Sequence, residues 1–125
     1  IRLPVPRLEY EELTGNRWGE SSRVIRDRVH EARQRQITRL NPYRVFANAR
    51  MQHRHLRHLA VSDSAERILS RAFRQLALSA RAHDRILKVS RTIADLAGST
   101  AIEANHVAEA LTYRTMDRQS AASQL

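Results

Sequence analysis

Ser79, Ala80 and Arg81 open a helical stretch with a cation where a helix least favours one. Ser79 is a natural N-cap, whose hydroxyl can accept from an amide of the first turn. Arg81 then faces the positive end of the helix dipole, at a cost of a few tenths to about 1 kcal/mol. The free N–H groups at that end make a ready anion site, and an arginine beside them suggests a phosphate held by both. Position alone leaves a second reading open, a surface arginine answered by a nearby carboxylate. Arg85 and Lys88 follow on the same stripe, with Thr92 and Asp95 beyond them. The stripe thus begins as an electropositive strip, or is simply the solvated face that any amphipathic helix carries.

A second group of residues is set by charge imbalance. No acid occurs between Glu31 and Asp63, an interval that holds Arg33, Arg35, Arg39, Arg44, Arg50, Arg54 and Arg57. Unopposed cations in such a run can track a nucleic-acid backbone, with affinity that falls steeply with salt. They can equally form a surface that docks on another part of a larger protein or on a neighbouring subunit. Base stacking has little support in this interval, whose aromatic residues are Tyr43 and Phe46. His55 and His58 share a helix face, yet no carboxylate or cysteine stands close in sequence to complete a metal site, and none is assigned. His83 and His106 read as structural or solvated. The glycines are Gly15, Gly19 and Gly98, so no phosphate-cradling G-x-x-x-x-G-K-[ST] loop exists in the chain. No nucleophile–base pair stands out either. The chain is not expected to be an enzyme in isolation.

Composition agrees with an anionic partner. The 125 residues carry a formal charge of +9, and all basic residues except Lys88 are arginine. Arginine's planar fork suits phosphate better than the lysine point charge, although the base composition of the source genome can favour arginine too. Without cysteine there are no disulfides and no thiolate metal sites. No apolar run approaches the roughly 20 residues of a membrane helix. The chain begins at Ile1 without methionine and shows no signal peptide, which reads as a cytoplasmic fragment of a longer protein.

The elements that must position these residues are helical. Ile1, Leu3 and Val5 alternate with Arg2, Pro4 and Pro6, which predicts a strand remnant followed by a linker over residues 1–20. A helical domain is expected over 21–117 and a flexible tail over 118–125. Ser21 or Ser22 caps a first helix to about Arg39, with Val24, Ile25, Val29, Ala32, Ile37 and Leu40 inward, stopped by Asn41-Pro42. A second helix is predicted from Asn48 to about Leu59. Asp63 and Glu66 resemble a capping box opening a third, with Ile68, Leu69, Ala72, Phe73 and Leu76 on one face. In the fourth, Ala82, Ile86, Val89, Ile93 and Leu96 recur at helical steps before the Gly98 stop. A fifth spans about Glu103 to Met116, with Val107, Ala108 and Leu111 inward. The class is all-α, a small bundle of four to five helices with an extended lead-in.

The segments GESSRVIRDRVHEARQRQ, YRVFANARM, LSARAHDRILKVSRTIADLAGS and IEANHVAEALTYR occur in an order and spacing that resembles the C-terminal part of the magnesium-chelatase-like AAA+ ATPases, the ComM/YifB group. The resemblance runs from about Val5 to Arg118. It implies an AAA+ lid domain in which Arg81 is the sensor-2 arginine that reaches the terminal phosphate of the nucleotide, with Arg85 and Lys88 behind it. For the intact parent it implies ATP and Mg²⁺ as cofactors, an N-terminal ATPase core in the same chain, a homo-hexamer, and motor action on DNA in branch migration of incoming strands. None of those cofactors is expected to bind this stretch alone. Arg81 serves either its own subunit's nucleotide or a neighbour's. Two alternatives remain: the lid of a true magnesium-chelatase motor subunit, and a stand-alone basic helical DNA-binding module.

Overall fold

The computed structural model describes residues 1, 3–5 and 19–123, with side chains up to residue 114. The expected strand remnant and linker therefore fall mostly outside the described residues, as do Gln124 and Leu125. Among the described residues there are five α-helices: α1 (Ser22–Leu40), α2 (His53–Leu56), α3 (Asp63–Gln75), α4 (Ala80–Ala97) and α5 (Ala104–Ser123). The all-α expectation holds.

The sequence signals fix most helix ends. Ser21 caps α1 by accepting the Val24 amide at 3.2 Å. Pro42 then forces the chain into a 3-10 turn, Asn41–Tyr43, closed by Arg44 in the left-handed region at φ 55°. The α3 cap is Ser62, which accepts from the Ala65 amide at 3.2 Å, rather than Asp63. Asp63 and Glu66 instead sit in the first turn, where the helix dipole favours acids. Ser79 caps α4, and Gly98 ends it at φ 73°. That positive φ suits glycine, and the Ser99 amide bonds back to the Ala94 carbonyl at 2.9 Å.

Burial departs from the expected faces on four helices, and on α4 the departure is Leu96, which is exposed. On α1, Val24, Ile25, Val29 and Ile37 are exposed, and the inward stripe is Ala32, Gln36 and Leu40. The buried side chains of that helix all lie in its C-terminal half, and no described residue covers the apolar side chains of its first turns. On α3, Phe73 and Leu76 are exposed while Ala65, Leu69 and Ala72 face in. On α5, Ala108 is exposed and Val107 and Ala110 are buried, a stripe aimed at both α3 and α4. The helix continues to Ser123, past the expected end at Met116 and through most of the expected 118–125 tail.

The helix expected over residues 48–59 is broken. Residues Asn48–Arg50 form a 3-10 turn, Met51 is extended, and α2 restarts behind Gln52, whose amide donates to His55 Nδ1 at 2.8 Å. The cause is tertiary. The Asn48 amide is taken by the Gln36 side chain at 3.0 Å, and its side chain is drawn into α4.

Helix α4 is the centre of the bundle, in contact with α1, α2, α5 and the 48–50 turn. Leu40, Met51, Leu56, Leu69, Leu78, Ile86, Leu87, Ile102 and Val107 form the core around it. Each such side chain contributes about 1.5–3 kcal/mol by leaving water. A parallel bridge between Val61 and Ile102 ties the entries of α3 and α5, with Ser62 and Ile102 amides donating at 2.9 and 2.8 Å.

Candidate nucleotide-phosphate site

The two ends of α4 differ in kind. At the N-terminal end the Ser79 hydroxyl accepts the Ala82 amide at 3.1 Å and its carbonyl accepts the His83 amide at 3.0 Å. Among the described residues the Ala80 and Arg81 amides have no acceptor, and no acid stands in the first turn. Arg81 is exposed and, among the described residues, has no ion-pair or hydrogen-bond partner. Among the described residues no carboxylate stands beside it. Asp84, the acid on this end of α4, is engaged with His53 at 3.1 Å and His83 at 3.7 Å. A free guanidinium beside free amides can hold a phosphate oxygen through charge-assisted bonds.

Arg85, one turn further, is exposed and likewise unpartnered among the described residues. Lys88 is half-buried, and its Nζ points to the Ala49 carbonyl at 3.5 Å. The stripe does not stay solvated. Thr92 Oγ1 accepts from Asn48 at 3.1 Å, and Asp95 is fully buried. That corrects the expected polar face, because α1 and the 48–50 turn fold over the C-terminal half of α4.

What covers it is a polar network. Asp95 accepts from Arg39 at 2.7 and 3.0 Å, from Asn48 at 2.9 Å and from Arg91 Nε at 3.2 Å. Arg91, itself only 1% exposed, donates on to the Ser99 and Thr100 carbonyls at 2.6 and 3.0 Å. Burial lowers the Arg91 guanidinium from its ordinary pKa, Asp95 raises it again, and Arg39 lowers it. Arg35 caps the same helix end, donating to the Asp95 carbonyl at 2.7 Å. A Cβ on Gly98 would lie 3.4 Å from the Arg35 guanidinium. The last turn of α4 is thus held by Arg35, Arg39 and Arg91, while its first turn presents Arg81 to solvent.

The acid-free interval is therefore not uniformly unopposed. Arg39 belongs to the buried network, and Arg35 is shared between the α4 end and Glu31 at 3.8 Å. Arg33, Arg44, Arg50, Arg54 and Arg57 are exposed and lack ion-pair partners among the described residues. Arg54 and Arg57 flank an open cavity of about 320 Å³ whose other walls are Tyr43, His55 and His58. Sequence reasoning missed this cluster, and it missed Asn48, Arg91 and Gln36 as network members. The Arg91–Asp95 pair at i, i+4, in line with Leu87 on the apolar side, was the available signal. Among the described residues no group of His, Asp or Glu is gathered as for a metal ion.

Residues 19–114 match the family model described as magnesium chelatase, subunit ChlI C-terminal. Competence protein ComM of Haemophilus influenzae is 40% identical over 120 residues, covering 94% of this chain and 23% of that protein. The chain belongs to the ComM/YifB family. The uncharacterized protein YifB of Escherichia coli is also 40% identical, over 119 residues and 22% of its length. A Mycobacterium tuberculosis relative is 37% identical over 97 residues. The chain spans under a quarter of the length of these curated relatives. It is a lid domain of a magnesium-chelatase-like AAA+ protein. The family match contains Arg81 and the whole buried network. Among the described residues no helix is long and apolar enough to cross a membrane.

Proposed function

We propose that this lid couples a nucleotide's terminal phosphate to motor action on DNA in a hexameric ATPase parent, with Arg81 as the coupling residue. The observation that carries the reading is the polarity of α4: an unpaired arginine beside free amides at one end, and a clamp of three arginines at the other. Bound ATP supplies the phosphoryl bond whose cleavage drives the cycle. Arg81 contributes charge-assisted bonds to the γ-phosphate and loses that contact once the phosphate leaves. Because the far end of α4 is clamped, the change in contact moves the lid as one piece. For Mg²⁺ the residues do not fit, since Asp84 is occupied by His53 and His83, so no step is assigned to the metal in this domain.

The DNA part of the reading is supported by the exposed, unpartnered Arg33, Arg44, Arg50, Arg54 and Arg57 and by the net charge of +9. The coupling is tested in the full-length parent. Arg81→Ala should remove most ATP turnover, by a factor approaching the ~10³ typical of arginines that stabilise phosphoryl-transfer charge. Circular dichroism of the 125-residue chain carrying the same substitution should remain unchanged, since Arg81 holds no partner among the described residues. Arg71→Ala, exposed on α3, is the control and should change neither. Near-normal turnover by Arg81→Ala would make it an ordinary surface residue, and unfolding would make it structural.

A further inference from the structure

We propose that the cavity between the 41–43 turn and α2 is a single-strand nucleic-acid site, which seats one base against Tyr43 and its phosphates on Arg54 and Arg57. The proposal rests on the DNA part of the proposed function but not on Arg81. The cavity, about 320 Å³, lies at the small end of ligand-sized pockets and matches one nucleotide rather than a larger organic ligand. Its walls are Tyr43, Arg54, His55, Arg57 and His58, with no carboxylate among them. Among the described residues Arg54 and Arg57 have no acid or carbonyl to answer them, whereas Arg35 and Arg39 nearby in sequence are both used up internally.

The aromatic part is assembled by the fold. Tyr43 is 44% exposed, and its ring lies nearly parallel to His58, with centroids 5.9 Å apart and planes 14° off. His55 braces it from a tilted position at 5.5 Å. Arg44, in the left-handed region, turns the chain just past Tyr43. His55 is 6% exposed, and its Nδ1 is fixed by accepting the Gln52 amide. In the neutral ring the proton therefore sits on Nε2, a donor with no acceptor among the described residues. A buried imidazole with one free donor, two free guanidiniums and a half-exposed phenol ring is a set of groups for a base plus its phosphates. Stacking on Tyr43 needs an unstacked base, so the site prefers a single strand to a duplex.

The test is fluorescence anisotropy of the 125-residue chain with a labelled oligothymidine, and with a duplex of equal length, across a salt series. Single strand should bind more tightly than duplex. Tyr43→Ala should weaken it about tenfold, and Tyr43→Phe, which keeps the ring, should not. Arg54→Ala and Arg57→Ala should each flatten the dependence of log affinity on log salt by about 0.7. Equal affinity of Tyr43→Ala and the parent sequence would overturn the proposal, leaving only backbone contacts. Competition by thymidine monophosphate as efficient as that by the oligonucleotide would overturn it in favour of a free-nucleotide site. No binding even at low salt would overturn it in favour of a protein-docking face. Each of these outcomes leaves the Arg81 experiment, read by ATP turnover in the parent, untouched.

Discussion

Replacing Asp95 by asparagine removes one charge and almost no volume, which isolates what the carboxylate does. Every group around it is a donor: the two Arg39 nitrogens, Asn48 Nδ2 and Arg91 Nε. An asparagine can satisfy only some of them with its single oxygen, and its own NH₂ must face another donor. Arg91, 1% exposed, keeps the Ser99 and Thr100 carbonyls but loses its counter-charge. Removing one partner of such a buried pair costs about 3–5 kcal/mol. Whole domains are stable by only about 5–15 kcal/mol, so the loss is a large fraction of the total. Urea unfolding followed by far-UV circular dichroism should show the midpoint falling by about 1.5–3 M at an unchanged slope. The exposed Asp63→Asn, in the first turn of α3, should cost under about 1 kcal/mol. Added salt should leave the Asp95 effect nearly intact, since buried pairs are screened little. A double-mutant cycle of Arg39→Ala with Asp95→Ala should show a coupling above about 1 kcal/mol. A loss below about 1 kcal/mol for Asp95→Asn would refute the reasoning, because the carboxylate would then have to be solvated.

Ala77 joins α3 to α4 with φ 47°, a left-handed conformation that costs a non-glycine residue about 1–2 kcal/mol. Ala77→Gly removes that strain at an entropic cost of about 0.5–1 kcal/mol, so the melting temperature should rise by a few degrees, and a fall would show that the strain is absent. Tyr113 donates to Glu109 at 3.3 Å, and the adjacent carboxylate raises the phenol above its ordinary pKa by repelling the phenolate. A ¹³C NMR titration should show Tyr113 deprotonating later than a free tyrosine, and Glu109→Gln should bring it back; an unchanged titration in that variant would rule out Glu109 as the cause.

The local signals were legible because they depend on neighbours in the chain. Ser21, Ser79 and Gly98 act within one turn of their own helix, and Pro42 acts on the residue before it, so helix ends followed from residue type and position. The exposed Arg81 in the first turn of α4 was legible for the same reason. The faces of α1 and α3 were not, because periodicity shows which side chains share a side and says nothing about whether another helix reaches that side. Ile25 and Val29 repeat as a core stripe does, yet the buried side chains of α1 begin only at Ala32. The fate of Asp95 was equally out of reach. On an isolated helix it lies in line with Arg81 and Arg85 as a solvated acid, and it becomes a buried anion only once Arg39 and Asn48 arrive from other elements. The same holds for the arginines between Glu31 and Asp63. Sequence counted them as one positive run, and tertiary folding divided them into cations neutralised inside and cations left free outside, since a charge can be buried only where the fold brings it an opposite one.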